Sequence, residues 1–293
     1  MQLPQIKNPI QLGDFKKLAR DLTLVENDLA GSEDLLKELR PSDTPVIGIT
    51  GPPGAGKSTL VNAMINYLSS QGKSIAVLAV DPTSPFNLGS LLGDRVRMAE
   101  QFNKPNVYIR SLATRGSLGG LSGKTIEMCD VLKAADFDFI IVETVGVGQS
   151  EVEIAGLADV SVVVLVPESG DEIQNMKSGL MEIADIFVVN KSDREGADTF
   201  ANNLKKLLHQ RPEPIPVIKT VADKAIGIEE LVKAIESRSA KENSRRIFLL
   251  AEKAWKLLQQ KKMKSINKMQ LQQQIIKASA DADFNLYKFI DSF

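Results

Sequence analysis

The chain has 293 residues, of which 43% are apolar, 25% charged and 5% aromatic, with a formal net charge of −1. So neutral a chain with so few rings has neither the basic field nor the stacking platforms that nucleic-acid binding requires, and it lacks the roughly 18-residue apolar run of a membrane span. The single cysteine, Cys129, excludes an internal disulfide, and the start from Met1 to Asn8 lacks the basic and apolar regions of a secretion signal; both fit a cytoplasmic protein.

In chain order, residues 1–44 are expected to form a helical extension. Leu18, Leu22, Val25 and Leu29 recur at spacings of three and four before the break at Arg40-Pro41-Ser42-Asp43, which predicts an amphipathic face. Residues 45–238 alternate β-branched runs with helix-length segments. That pattern predicts an α/β fold of the P-loop NTPase kind, a mostly parallel twisted sheet flanked by helices. Strands are expected at Val46–Thr50, Ile75–Val80, Val107–Leu112, Phe139–Glu143, Val160–Val166, Ile186–Asn190 and Pro216–Lys219. Several are apolar throughout, as strands covered on both faces must be. Residues 239–293 contain neither Gly nor Pro, and Ile247, Leu250, Ala254, Leu257 and Leu258 mark one side of a long helical arm. Such a stripe is compatible with packing against the core or with pairing to a second copy. Lys261, Lys262 and Lys264 read as a solvated face of that arm.

Ligands of a parallel sheet bind beyond the carboxyl ends of its strands. After the first strand comes Gly51-Pro52-Pro53-Gly54-Ala55-Gly56-Lys57-Ser58, the GxxxxGK[ST] phosphate loop in its strand-loop-helix context. Its glycines allow backbone N–H groups to converge on a phosphate, with Ala55 and Thr59 completing the lining. Lys57 is placed to bridge β- and γ-phosphates, and the Ser58 hydroxyl to ligate Mg²⁺. After the sixth strand, Asn190-Lys191-Ser192-Asp193 follows the NKxD pattern. A carboxylate in the plane of the base accepts from guanine N1–H and the 2-amino group. Facing adenine it would be left unpaired, at a cost of roughly 2–5 kcal/mol. Asn190 would tie this loop to the phosphate loop, and the Lys191 stem would cover the ring. The nucleotide expected is therefore GTP or GDP.

Glu143-Thr144-Val145-Gly146 ends the fourth strand. There a carboxylate can hold Mg²⁺ through water, and Gly146 lets the backbone approach a γ-phosphate. Regulatory GTPases usually place a water-orienting Gln directly after this Gly, where this chain has Val147; Gln149 follows two positions later. Slow intrinsic hydrolysis is expected unless Gln149, Lys177 or a partner supplies the missing group. Asp81 closes the second strand and Asp94 follows in Leu92-Gly93-Asp94-Arg95; both are candidates for the Mg²⁺ shell, since hard oxygens around phosphate suit that ion.

Taken together, these segments resemble the MeaB/ArgK family of GTPases. The resemblance rests on Leu24 to Asn27, Gly48 to Leu60, Ala79 to Pro85, Leu92 to Met98, Arg110 to Gly116, Glu143 to Glu151 and Asn190 to Asp193. It implies a Mg²⁺-dependent GTPase that chaperones an adenosylcobalamin-dependent methylmalonyl-CoA mutase or related acyl-CoA mutase, with Ser58, Asp81, Asp94 and Glu143 around the metal. It further implies a mobile segment from Pro167 to Lys177 that couples nucleotide state to the mutase. Family members are usually homodimers, which favours the pairing reading of the C-terminal arm. The last base-binding segment that the resemblance implies, Lys219 to Ile228, follows the Ser-Ala-like loop of the family only loosely, and the match weakens beyond Lys241. Two other function classes compete. A nickel or cobalt insertion GTPase would need clustered soft or imidazole ligands, whereas His209 and Cys129 are each the only residue of their type. A small-molecule kinase or transport ATPase would need an acceptor site or a membrane partner.

Overall fold

The β-branched runs become parallel strands in the computed structural model, which describes residues 15–40, 42–81, 98–113, 123–144, 154–169, 180–209, 214–239, 246–263, 266–281 and 283–291. They are β1 (Val46–Thr50), β2 (Ile75–Asp81), β3 (Val107–Ala113), β4 (Phe139–Glu143), β5 (Val160–Leu165), β6 (Ile186–Val189) and β7 (Val217–Lys219). Each lies within one residue of the run expected from sequence. Among the described residues the sheet has seven strands in the order β3-β2-β4-β1-β5-β6-β7, with parallel pairing throughout. The described helices are α1 (Phe15–Glu26), α2 (Ser32–Lys37), α3 (Lys57–Ser70), α4 (Gly123–Lys133), α5 (Leu180–Ile183), α6 (Ala197–Leu208), α7 (Ile228–Ser239), α8 (Arg246–Met263), α9 (Lys268–Ala278) and α10 (Leu286–Ile290). None of the described helices is long and apolar enough to cross a membrane.

The strands bury both faces, and the period of two sorts their side chains between two layers. Ile47, Ile49, Val162 and Val164 face Leu60, Met64 and Leu68 of α3 and Leu231 and Ile235 of α7. Val46, Leu78, Ile140 and Val142 face Leu18, Leu22 and Val25 of α1 and Met128 and Leu132 of α4. Val163, Leu165, Phe187 and Val189 meet Phe200, Leu204 and Leu208 of α6. Each fully buried side chain of this size contributes roughly 1.5–3 kcal/mol. The expected N-terminal face is therefore real at Leu18, Leu22 and Val25 but stops there. Helix α1 ends at Glu26, Asp28 takes a left-handed φ of 54°, and Leu29 is left 50% exposed.

Three aspartates fasten the amino-terminal edge of the sheet. Asp138 accepts from the Ser74 backbone N–H at 2.8 Å and the Ser74 hydroxyl at 2.8 Å, at the start of β2. Asp159 accepts from Val46 N–H at 2.9 Å and Asp185 from Ser161 N–H at 2.8 Å. Each satisfies a strand-end donor that has no ladder partner.

By internal contacts the chain divides into two units, Met1–Leu250 and Ala251–Phe293. The sequence predicts one long helix for the C-terminal segment, whereas its described residues form three helical pieces, two of them opened by local caps. The Asn267 side chain accepts from Met269 N–H and Gln270 N–H to open α9, and Asn285 does the same for Tyr287 and Lys288 to open α10. Leu250 and Leu258, assigned to a buried stripe by spacing, are 59% and 54% exposed.

The Asp138 carboxyl is held below the usual carboxylate range: burial raises it, but the Ser74 N–H, the Ser74 hydroxyl and Lys73 outweigh that. A depressed folded value stabilises the protein above the unfolded value of about 3.9 and ceases to as pH falls through the folded value. Asp138→Asn should therefore cost about 1 kcal/mol at neutral pH, allowing for the carboxylate's partial exposure. Urea unfolding of parent and variant should show that gap closing as pH falls below about 4.

Candidate functional site

At the carboxyl end of β1 the chain turns through a loop that only glycine can make. Gly51 has φ 139°, and a Cβ there would lie 2.1 Å from the Val164 carbonyl oxygen of β5. Gly56 has φ 87°, and its Cβ would lie 2.4 Å from Asn190 Nδ2. The loop thus touches β5 on one side and the base-loop asparagine on the other, and a side chain at either point would push it away. Helix α3 begins at Lys57 with no acidic residue in its first turn, so its free N–H groups and dipole favour an anion. The Lys57 ammonium is buried over the loop, donating to the carbonyl oxygens of Gly51 at 2.8 Å and Pro52 at 3.0 Å. Ala55 is fully buried, Thr59 is exposed on the first turn, and a Cβ at Gly54 would meet nothing within 4 Å.

Beside this loop stands Glu143, the last residue of β4 and 5% exposed. Its Oε1 accepts from the Ser58 hydroxyl at 2.6 Å. The pairing follows from register, since Glu143 lies opposite Ile49 on the strand that feeds the loop. Thr144 donates its backbone N–H to Ile49 O at 3.0 Å and its hydroxyl to Thr50 Oγ1 at 2.9 Å, holding the end of β4 against the end of β1. A hydroxyl and a carboxylate converging at the mouth of a phosphate loop are a hard-oxygen donor set of the kind Mg²⁺ takes. Asp81 is the last residue of β2, two residues past the point where Ala79 pairs with Glu143, and so shares their edge of the sheet. Asp94, Gly146, Gln149 and Lys177 lie outside the described residues.

The end of β6 carries the second loop. Asn190 is 2% exposed. It donates from Nδ2 to the Ala55 carbonyl at 2.9 Å, while Oδ1 accepts from the Thr220 hydroxyl at 3.0 Å and Ala222 N–H at 3.2 Å. Lys191, with a left-handed φ of 55°, reaches across to the Gly54 carbonyl at 2.7 Å. Asp193 at the outer end of the loop is exposed and pairs with Lys224 at 2.8 Å. The Lys224 hydrogen bond holds its carboxyl below the usual range. The next residue, Arg194, pairs instead with Glu168, in the turn Pro167–Ser169 after β5.

Thr220, Ala222 and Lys224 lie in the segment Lys219 to Ile228 that the family resemblance makes the last base-binding loop, with no individual role read for them from the sequence. Their segment departs from the expected loop in residue type, yet its place directly after an apolar run, like those of Gly51 and Asn190, was a usable signal. Two segments that carried the family resemblance also meet: Arg110 of β3 pairs with Glu26 of α1 at 2.5 Å and donates to Thr23 Oγ1 at 3.0 Å. Cys129 is buried on α4, and His209 is an exposed C-cap of α6.

Comparison with known proteins shows which family the chain resembles. The family profile described as methylmalonyl-CoA mutase-associated GTPase MeaB matches residues 18–281. A putative GTPase of Pyrococcus horikoshii is 48% identical over 239 residues, covering 78% of this chain and 74% of that protein. The Mus musculus protein named methylmalonic aciduria type A homolog, mitochondrial, is 42% identical over 192 residues, covering 60% of this chain and 46% of that protein. A crystal structure described as LAO/AO transport system kinase superposes with a TM-score of 0.69 at 26% identity, covering 97% of this chain and 93% of that one.

The network around Asn190 sets an expectation for stability. Asn190→Ala leaves Ala55 O, Thr220 Oγ1 and Ala222 N–H without their buried partner, and should cost about 2–4 kcal/mol in urea unfolding. Asp193→Ala, at an exposed position, should stay within about 0.5 kcal/mol of the parent.

Proposed function

The chain belongs to the family of methylmalonyl-CoA mutase-associated GTPases, and from that membership we propose that it is a Mg²⁺-dependent guanine-nucleotide switch acting on an adenosylcobalamin-dependent acyl-CoA mutase. It gates cofactor loading and protects the mutase, with hydrolysis serving as timing. The observation that carries the guanine reading is the bond from Asn190 Nδ2 to Ala55 O. That bond sets the spacing between a loop built for phosphate and a loop that ends in a carboxylate. The family description and the mouse relative's name support methylmalonyl-CoA mutase or a close relative as the partner.

In this reading the backbone N–H groups from Gly51 to Ser58 hold the β-phosphate. The Lys57 ammonium, now on the Gly51 and Pro52 carbonyls, is within reach of β- and γ-oxygens. Ser58 and Glu143 hold Mg²⁺ directly or through water, with Asp81 and Asp94 completing its shell. When bound, the metal neutralises charge that develops on the phosphates. The Ser58–Glu143 hydrogen bond keeps these two oxygens together beforehand, so little side-chain ordering remains at binding. Gly146 reports the γ-phosphate through its backbone, and Gln149 or Lys177 orients the attacking water, or the partner does. Two arrangements of these segments, distinguished by the γ-phosphate, are what a partner needs in order to bind one state better. A second copy pairing through the C-terminal helices completes the proposal.

Alone, the protein should hydrolyse GTP more slowly than about 10⁻² s⁻¹, the rate of a switch that carries its own catalytic Arg. Addition of an adenosylcobalamin-dependent methylmalonyl-CoA mutase should raise that rate. Turnover unchanged by the mutase, with no complex by gel filtration in any nucleotide state, would remove the chaperone reading. Asp193→Asn presents an amide N–H where guanine offers its 2-amino donor. It should therefore lower GTP affinity at least about tenfold while improving binding of xanthosine triphosphate, whose 2-oxo group accepts.

A further inference from the structure

Asp193 reads the base in the proposed function, and on its own loop its carboxylate meets the backbone N–H of Asp193 itself, a contact that leaves one side of it to be set from elsewhere. It is exposed, two residues beyond the left-handed Lys191, and its carboxylate turns about two bonds. A carboxylate that must accept two hydrogen bonds in one plane benefits from being ordered before the base arrives. We propose that Lys224 is the specificity-determining positioning residue of this site, holding the Asp193 carboxylate in the orientation that reads the guanine edge. The proposal rests on the reading of Asn190 to Asp193 as the guanine loop.

Three observations carry it. Lys224 Nζ donates to Asp193 Oδ2 at 2.8 Å. The neighbouring cation, Arg194, is occupied by Glu168 on the other side of the loop, so the two positive charges beside Asp193 are divided between separate carboxylates. The position of Lys224 is itself built. It ends the 3-10 turn Ala222–Lys224, which is closed by hydrogen bonds between Val221 and Ile226 in both directions, at 3.1 and 3.2 Å, and followed by Ala225 at φ 54°. The root of that turn hangs from Asn190 Oδ1 through Thr220 and Ala222. A single buried amide therefore fixes the origin of the loop that bears Asp193 and of the turn that bears Lys224. Backbone thus sets the approach of the loop and the turn, and the exposed Lys224 side chain spans what remains to Asp193.

Lys224 and a base are not rivals for Asp193. An ionised carboxylate offers about four lone-pair sites, and guanine, being neutral, leaves the charge of the pair in place. Orientation matters most when both oxygens are used together. Guanine engages them through N1–H and the 2-amino group, whereas hypoxanthine keeps N1–H alone, and a single hydrogen bond tolerates rotation of its acceptor.

The test measures Mg²⁺-dependent dissociation constants of GDP, IDP and ADP for the full chain and for Lys224→Met and Lys224→Arg. Lys224→Met should weaken GDP by about 3- to 10-fold and IDP by less than about twofold, shrinking the GDP-to-IDP ratio, and Lys224→Arg should restore it. GDP bound as tightly as in the parent, or more tightly, or GDP and IDP weakened equally, overturns the positioning role. A parent chain that binds GDP, IDP and ADP alike overturns the guanine reading beneath it, an outcome visible before any variant is measured.

Discussion

The buried carboxamide of Asn190 is the constraint on which the site depends. A primary amide is both donor and acceptor, and here each half reaches a different loop: Nδ2 goes to the phosphate loop at Ala55, and Oδ1 to the turn after β7 at Thr220 and Ala222. No other short side chain does both, because a carboxylate cannot donate and a hydroxyl cannot span the distance. Gly56 is part of the same arrangement, since a Cβ there would meet Asn190 Nδ2. The loops of β1, β6 and β7 are thus tied to one another, and a nucleotide held by one is located for the others.

The two edges of the sheet use the same residue types for opposite purposes. At the amino-terminal edge Asp138, Asp159 and Asp185 accept backbone N–H groups from the starts of neighbouring strands, and their charge serves the fold. At the carboxyl edge Glu143 accepts from the Ser58 hydroxyl and Asp193 from the Lys224 ammonium. A hydroxyl oxygen can also face a metal, and a carboxylate held by an ammonium keeps lone pairs for a base, while a strand-end N–H is committed to the fold. Parallel strands present such side-chain pairs together because every strand ends on the same side.

The N-terminal helices are continuous with this logic. Leu18, Leu22 and Val25 cover the face of the sheet opposite α3, and Glu26 receives the Arg110 guanidinium. That guanidinium is kept protonated by Glu26 and Tyr108 against the cost of its burial. The half-buried pair holds α1 to β3, the edge strand of the sheet among the described residues.

Composition and pattern in the sequence determined the layers, the strands and the chemistry of single loops. Apolar runs such as Phe139 to Val142 leave little choice of environment, and the phosphate loop states its function through glycines and a lysine that act locally. What required the tertiary structure was everything carried by residues distant in the chain. Ser58 and Glu143 are separated by 85 positions, and Asn190 and Ala55 by 135; only strand order and register bring them together. The expected helix through Leu29 and the expected long C-terminal helix failed for a local reason, because left-handed residues and asparagine caps interrupted a periodicity that continued on paper. Lys224 was illegible for the opposite reason. Its segment matches the family's base-binding loop only loosely, and its meaning lies in the carboxylate that the fold sets against it.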